Sequence, residues 1–222
     1  MSSSIDFITT GDGSHSLYNS EIQESYHSTH GAILESKHIF IEAGLNLFKD
    51  SIEIIHILEV GFGTGLNGLL SYIWSDQFKK SVNYQGIEAY PVNKDVFKEL
   101  NYPELLKIDK LIFLELHKTG EIYRQIAPYF NLKLNHTLIQ EFALPADYFQ
   151  VVYFDAFSPA VQPEMWSVDV FRSIFKAMRR GGVLTTYSTK GDVKRGLKEV
   201  GFLIEKIPGP VGKREVLRAF KK

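Results

Sequence analysis

A strand, a tight glycine turn and a helix follow one another in residues 56–68, HILEVGFGTGLNG, and this segment constrains the fold most. An apolar, β-branched run that begins at Ile52 breaks off at Val60, and an apolar helical pattern begins at Leu66. Three alternate glycines between them let the backbone turn sharply and let a ligand approach without Cβ atoms in the way. The free N–H groups of the helix start then favour an anion or a polar nucleoside.

The glycines permit two interpretations. Gly63, Gly65 and Gly68 match the dinucleotide pattern G-x-G-x-x-G, which permits a nicotinamide or flavin site. In a dinucleotide fold, however, the first glycine follows the strand directly. That residue is Gly61, and its third partner would be Leu66 rather than a glycine. The register therefore disfavours a dinucleotide.

An acidic residue, Glu59, stands two positions before the first of the three alternate glycines, Gly61. The segment 59–65, EVGFGTG, resembles motif I of class I S-adenosylmethionine-dependent methyltransferases. This resemblance implies that the turn cradles the methionine part of the cofactor and that Glu59 helps to hold its ammonium group through the turn.

The composition is that of a globular protein, with 44% apolar, 13% aromatic and 23% charged residues. A chain of 222 residues suits one sizeable α/β domain, and we expect a single domain over residues 1–222. No cysteine is present, so disulfides, thiolate metal sites and a cysteine nucleophile are excluded, and we expect no metal site. The N-terminus lacks an apolar signal region and no apolar run approaches membrane length, which predicts a soluble, cytoplasmic protein.

The net charge of −1 hides a division along the chain. Residues 172–222 contain 14 Lys and Arg against 4 Asp and Glu, whereas residues 1–171 contain 11 against 22. A solvated helix face with a charged tail explains this excess. A surface for nucleic-acid phosphates explains it equally well, so the charges alone leave both interpretations open.

Alternating strand and helix patterns predict a Rossmann-like α/β fold, with a mostly parallel, seven-stranded sheet covered by helices on both faces. Residues 1–50 are expected to form an irregular or hairpin-forming lead-in followed by a helix, and residues 101–135 an insertion or lid. Residues 202–207 and 215–220 predict a final antiparallel hairpin around Pro208 to Gly212. A reversed last strand is typical of methyltransferase sheets.

Two carboxylates are expected at strand ends beside the glycine turn. Glu88 ends the second strand and lies 23 residues beyond Gly65, close to the spacing at which an acid takes ribose hydroxyls. Asp155 ends the buried run YFQVVYF, and ligands of open α/β sheets collect at such carboxyl ends. Both side chains should therefore face one crevice.

Separated blocks resemble one family in the same order. The blocks VGFGTGLN, DAFSPAVQPEMWSVDVF, GGVLTTYSTKGDVKRGLKEVGF and GKRE, with ILESKHIFIEAGL upstream, are similar to the methyltransferase domain of MnmC-type enzymes. That family completes 5-methylaminomethyl-2-thiouridine at the tRNA wobble position, and its bifunctional members add a flavin-dependent oxidase. The resemblance implies methylation of 5-aminomethyl-(2-thio)uridine by S-adenosyl-L-methionine, the tRNA anticodon stem-loop as partner, and a separate flavin-dependent oxidase.

The resemblance also implies residue roles. The methionine end would be held by Glu59, Gly61, Gly63, Thr64, Gly65 and Asn67. Glu88 would hold the ribose, and Glu141 would face the adenine where the family typically has an aspartate. Asp155 matches the aspartate of a D-G-F-x-P segment, with Ala156 replacing glycine.

The implied substrate is a primary amine, with an ordinary pKa near that of lysine, about 10.4. Because a protonated amine has no lone pair, the site must favour its neutral form, and we expect Asp155 to orient the amine and act as base. Phe157 and Pro159 are expected to wall the uridine, with Trp166 either beside them or in the core. Basic residues of the C-terminal segment are expected to contact tRNA phosphates: Lys190, Lys194, Arg195, Lys213 and Arg214.

Three alternatives stay open at this point. The first is a methyltransferase that uses the same cofactor site to methylate a small-molecule or protein amine. The overlapping glycine pattern permits a nicotinamide-dependent oxidoreductase. The third is a catalytically silent binding subunit docked on an oxidase.

Overall fold

The structure is a computed structural model that describes residues 5–51 and 53–222. Ile52, where the first predicted sheet strand begins, and residues 1–4 of the lead-in lie outside the described residues. The strands are β1 (Ile5–Thr9), β2 (His15–Asn19), β3 (Glu24–Ser25), β4 (Ile55–Val60), β5 (Val82–Glu88), β6 (Arg124–Ala127), β7 (Phe130–His136), β8 (Phe149–Phe154), β9 (Met178–Thr186), β10 (Leu203–Pro208) and β11 (Glu215–Phe220). The α-helices are α1 (Ala32–Ser36), α2 (Leu66–Phe78), α3 (Lys94–Phe97), α4 (Tyr102–Leu106), α5 (Lys110–Leu116), α6 (Val168–Ala177) and α7 (Gly191–Glu199).

The main sheet has eight strands in the order β10-β11-β9-β8-β4-β5-β7-β6. Its five inner strands from β9 to β7 are parallel, and β11 runs antiparallel to both β9 and β10. The mostly parallel sheet and the final antiparallel hairpin are confirmed. The predicted number of seven strands is one too low, because β6 pairs antiparallel with β7 and adds an edge strand.

Helices cover both faces of this sheet. α2 begins at Leu66, where the helical pattern of the sequence begins, and its apolar residues pack in one core with Ile57 and Tyr84. α6 and α7 pack in a second core with Leu58 and Val152. Adjacent strand residues such as Ile57 and Leu58 point to opposite faces, so β4 is buried on both sides, as a central parallel strand requires.

Residues 101–135 differ from the expected insertion or lid. They form α4, α5, β6 and almost all of β7, and β7 pairs residue by residue with β5. The segment HTLIQ, residues 136–140, predicts a strand from its β-rich composition, and this prediction is wrong because β7 ends at His136 and a 3-10 turn occupies Ile139–Glu141. Buried and partly exposed side chains alternate along residues 130–136 because this segment is a strand paired with β5.

The N-terminal segment forms a small sheet and an irregular helical stretch. β1, β2 and β3 form a three-stranded antiparallel sheet, which agrees with the hairpin-forming interpretation. The expected helix is instead α1 followed by a π-helical turn, Lys37–Glu42, and a 3-10 turn, Leu45–Phe48. In the described part of the chain, no helix combines the length and apolar character needed to cross a membrane.

Candidate active site

A cavity of about 310 Å³ opens at the carboxyl ends of β4, β5 and β8. The parallel strands bring their last residues to one edge of the sheet, so segments far apart in sequence meet there. The predicted site residues that line the cavity are Gly61, Gly63, Thr64, Asn67, Glu88, Asp155, Phe157 and Lys213.

The turn at the end of β4 needs glycine for two reasons. Gly61 has φ +90°, and a Cβ there would lie 2.6 Å from the Asp155 carbonyl oxygen. Gly63 has φ +51° and would place a Cβ 3.2 Å from the ring of Tyr26. A side chain would strain the backbone and occupy the space between β4, β8 and the cavity.

Glu88 ties the glycine turn to the end of β5. Its Oε2 accepts a 2.8 Å hydrogen bond from the Gly63 N–H, and its Oε1 accepts one of 2.8 Å from the Tyr90 N–H. The carboxylate is thus held at the cavity wall, where its remaining lone pairs can accept from hydroxyl groups.

Glu59 lies beneath the cavity wall rather than on it, with 0% exposure. Tyr84 donates to its Oε2 at 2.7 Å, and the Asn67 side-chain nitrogen donates to its Oε1 at 2.8 Å. Burial raises the pKa of Glu59 well above its ordinary value. Glu59 therefore reaches the cavity wall only through Asn67, and its part in holding a ligand ammonium stays a prediction.

Asp155 is joined to Glu59 by the same amide. The Asn67 nitrogen donates to Asp155 Oδ2 at 2.9 Å, while the Asn67 Oδ1 is buried without a partner. Burial raises the pKa of Asp155 to about 7, partly offset by the Asn67 hydrogen bond. A carboxyl that titrates near neutrality in a cleft has the property of a general base.

Other predicted site residues do not reach the cavity wall: Gly65, Glu141, Pro159, Lys190 and Arg214. Gly65 instead begins α2 in the left-handed conformation. Glu141 lies in the 3-10 turn after β7, and Thr137, Leu138 and Ile139 line the cavity in its place. Lys190 and Arg214 are exposed, so their predicted phosphate contacts stay a prediction.

The N-terminal segment supplies wall residues that sequence reasoning missed. Tyr26 and His27 follow β3, and Glu35 lies on α1. The Tyr26 ring packs edge-on against Phe157 with centroids 4.9 Å apart. Similarity of the block ILESKHIFIEAGL, which contains Glu35, to the family's N-terminal block was the available signal.

Trp166 belongs to the core. Its side chain is 7% exposed and packs on Phe154, while its Nε1 donates to the Phe157 carbonyl at 2.8 Å. It holds the segment that presents Phe157. Tyr187, from the end of β9, lines the cavity on the other side and donates to the Ala156 carbonyl at 2.8 Å.

Comparisons with known proteins agree with one another. A family model described as S-adenosyl-L-methionine-dependent methyltransferase matches residues 120–222. The tRNA 5-methylaminomethyl-2-thiouridine biosynthesis bifunctional protein MnmC of Cupriavidus metallidurans is 32% identical over 226 residues, covering 94% of this chain and 33% of the relative. The protein of the same description from Nitrosospira multiformis is 30% identical over 220 residues, covering 91% and 35%.

A solved structure also matches. The crystal structure of MnmC2 from Aquifex aeolicus superposes with a TM-score of 0.81 at 27% identity, covering 99% of this chain and 71% of that chain. The chain spans about a third of the length of the curated relatives it matches.

Proposed function

The chain is a methyltransferase domain of the MnmC type with a class I fold, and on this premise we propose that it methylates the amine of 5-aminomethyl-(2-thio)uridine at the tRNA wobble position. One observation carries the proposal: a carboxyl that titrates near neutrality, Asp155, shares a cavity with the glycine turn. A nicotinamide-dependent oxidoreductase does not fit this premise.

The cavity suits S-adenosyl-L-methionine. The buried, unpartnered Asn67 Oδ1 can accept from the ligand's ammonium group, and Glu88 can accept from its ribose hydroxyls. Gly61 and Gly63 keep the turn free of side chains. Acidic residues at the wall suit a ligand that carries an ammonium and a sulfonium charge.

The chemistry that the protein must supply concerns the amine. The bound cofactor supplies a methyl group on a sulfonium, which is already a good leaving group. Asp155 accepts a hydrogen bond from the amine, aims its lone pair and takes up the proton that it releases. The ring pair of Tyr26 and Phe157 offers an aromatic wall for the uracil ring of the substrate.

The partners follow from the substrate. We place the tRNA anticodon stem-loop over the cavity mouth, with Lys190 and Arg214 on phosphates, because both are exposed cations, Lys190 after the carboxyl end of β9 and Arg214 in the loop between β10 and β11. We propose that a flavin-dependent oxidase supplies the amine, because the matched relatives are described as bifunctional in 5-methylaminomethyl-2-thiouridine biosynthesis. A cytoplasmic location belongs to the same proposal.

Mass spectrometry of nucleosides tests this function. Purified protein and S-adenosyl-L-methionine are incubated with tRNA that carries 5-aminomethyl-uridine, with and without the 2-thio group. We expect a mass gain of one methyl at this nucleoside alone. Methylation of small amines or proteins, with none on this tRNA, would contradict the proposal and favour the other amine methyltransferases.

A further inference from the structure

A buried ion pair lies in the wall of the cavity. Lys213 Nζ, from the loop between β10 and β11, is 2.6 Å from Glu35 Oε1. The Lys213 side chain is 29% exposed and that of Glu35 only 9%, so the pair is largely removed from water. The other Glu35 oxygen accepts from the Ser28 N–H at 2.7 Å, which fixes the carboxylate.

The ammonium group is also placed above an aromatic ring. Lys213 Nζ lies 4.3 Å from the centroid of Tyr187, which in turn donates to the carbonyl of Ala156, next to Asp155. Lys213 was expected to bind a phosphate. Its ammonium lies between a carboxylate and a ring in the wall that also contains Asp155, and its charge lowers the pKa of that carboxyl.

This charge is unusual for its surroundings. Within the described residues, Lys213 is the one Lys or Arg that lines the cavity, whereas several wall residues are acidic. An acidic cavity stabilises an ammonium group, which cannot act as a nucleophile. A fixed positive charge does the reverse, because it raises the free energy of any protonated amine nearby.

We propose that Lys213, held by Glu35, is a positioning residue whose charge keeps the bound substrate amine unprotonated. The proton leaves the substrate ammonium for Asp155 or for water, and no other reactant is needed. This inference rests on the proposed function, since it concerns the amine that the site would methylate. Glu35 has two opposing effects. It holds the Lys213 ammonium in place, and its own negative charge partly cancels the positive charge of Lys213.

The charges of Lys213 and Glu35 change the pKa of Asp155 in the same directions as they change the pKa of the amine. Burial has the largest effect on the pKa of Asp155; the Glu35 charge raises this pKa, and the Lys213 charge lowers it by less. Loss of Lys213 should therefore make both the amine and the carboxyl harder to deprotonate. Loss of the Glu35 charge should make both easier to deprotonate.

Other charged and titratable groups face the same space. The acids that line it are Glu24 in β3, Glu88 at the end of β5 and Glu164 before α6, with Glu59 of β4 buried behind the wall. The remaining groups are Tyr26, His27, Tyr90 and Tyr187, and burial lowers the pKa of His27 to about 4. These groups are unchanged between the variants compared below, so differences in pH dependence report on the pair.

The test is the pH profile of single-turnover methylation, measured on tRNA carrying 5-aminomethyl-uridine with saturating S-adenosyl-L-methionine. For Lys213→Met, we expect the midpoint of the rising limb to move up by about one pH unit. The rate should then fall about tenfold near neutrality and recover at high pH. Glu35→Gln should move the midpoint down, and the double variant should lie between the two single variants.

The matched control is Lys206→Met, which removes a lysine of the same hairpin that pairs with Glu215 at the surface. We expect its midpoint to equal that of the wild type. Circular dichroism and S-adenosylhomocysteine titration verify that each variant folds and binds. If Lys213→Met fails to fold, Glu35→Gln alone must still show the downward shift.

Two results would overturn the inference in an active enzyme. One is a rate for Lys213→Met that is low at every pH with an unmoved midpoint, which indicates a packing role. The other is a shift in the same direction for Lys213→Met and Glu35→Gln. A wild-type protein that leaves this tRNA unmethylated would instead contradict the proposed function, and the inference with it.

Discussion

The Asn67 side-chain nitrogen donates a 2.9 Å hydrogen bond to Asp155 Oδ2 across the cavity wall. The same nitrogen donates to Glu59, so one amide holds two carboxyl groups whose pKa values burial raises. Because the two carboxyl groups interact, the pKa values at which their protons leave are properties of the pair and not of either residue alone. Asn67 therefore links the buried acid to the proposed base.

Asn67→Ala should impair both cofactor binding and turnover. Its loss removes the acceptor proposed for the cofactor's ammonium and the hydrogen bond that lowers the pKa of Asp155. We expect the dissociation constant of S-adenosylhomocysteine to rise about tenfold, as for one lost charge-assisted hydrogen bond. Calorimetry measures the binding, and the rising limb of the pH–rate profile should move to higher pH.

The control is Asn83→Ala, which removes an amide that bonds Asn131 in the sheet. It should leave both binding and the pH midpoint close to wild type. Equal affinity in Asn67→Ala and Asn83→Ala would contradict the assigned role of Asn67.

The site could be predicted from sequence where sheet geometry alone determines the position. Gly61, Glu88 and Asp155 each follow a β-rich run, and parallel strands bring such ends to one edge. Glu35 and Lys213 could not be found in this way. They come from a short helix and a loop far apart in sequence, and no periodic pattern relates them.

The fold likewise has features that the local sequence predicts and features that depend on long-range contacts. The start of the α2 helix at Leu66 was predicted correctly, because the glycine turn marks it locally. The sequence places strand β7 too far along the chain, at residues 136–140, because the segment HTLIQ has a strong local preference for strand, whereas β7 ends at His136. Its register depends on the ladder with β5, which is a long-range contact that local propensity does not contain.

Asp155→Asn should remove most of the activity while preserving cofactor binding. Asparagine keeps the shape and can still accept from Asn67, but it takes up no proton. General base catalysis typically contributes about 10²–10⁴-fold, so we expect a loss of turnover in that range. Single-turnover rates and calorimetry separate the two effects. Near-normal turnover with full cofactor binding would contradict the assignment.

The same substitution should stabilise the fold at alkaline pH. The pKa of Asp155 in the folded state is about 7, above its ordinary 3.8, so the fold favours the protonated form. Stability is therefore lost as pH rises from about 4 through 7, and a neutral amide at this position would avoid this loss. For Asp155→Asn, we expect a higher thermal midpoint than wild type at pH 8, with the difference disappearing near pH 4.

Asp147→Asn serves as the control for both experiments on Asp155. The Asp147 side chain is 69% exposed and pairs with Lys221 away from the cavity. We expect it to change turnover little and to lack the pH-dependent gain in thermal midpoint. A gain at pH 8 shared by the two variants would indicate a general charge effect.

Gly61→Ala should destabilise the protein more than Gly181→Ala. Both glycines have positive φ, +90° and +76°, which strains alanine by roughly 1–2 kcal/mol in either place. A Cβ at Gly181 meets nothing within 4 Å, whereas one at Gly61 lies 2.6 Å from the Asp155 carbonyl oxygen. We expect an excess of about 1–3 kcal/mol for Gly61→Ala in urea unfolding, as for overpacking. If the two variants lost equal unfolding free energy, the result would show that β4 and β8 move apart easily to accommodate the new Cβ atom.

Binding of tRNA should weaken steeply as salt rises, because basic residues near the C-terminal hairpin would displace counterions from phosphates. Lys190→Glu and Arg214→Glu should each weaken binding and lower the slope of log K against log[salt] by about one. Fluorescence anisotropy with labelled tRNA at several salt concentrations measures this. The control Lys79→Glu changes a lysine that follows α2, away from the carboxyl ends of the strands. We expect its slope to match wild type, and a flat response in the wild type itself would make the C-terminal charges an ordinary solvated surface.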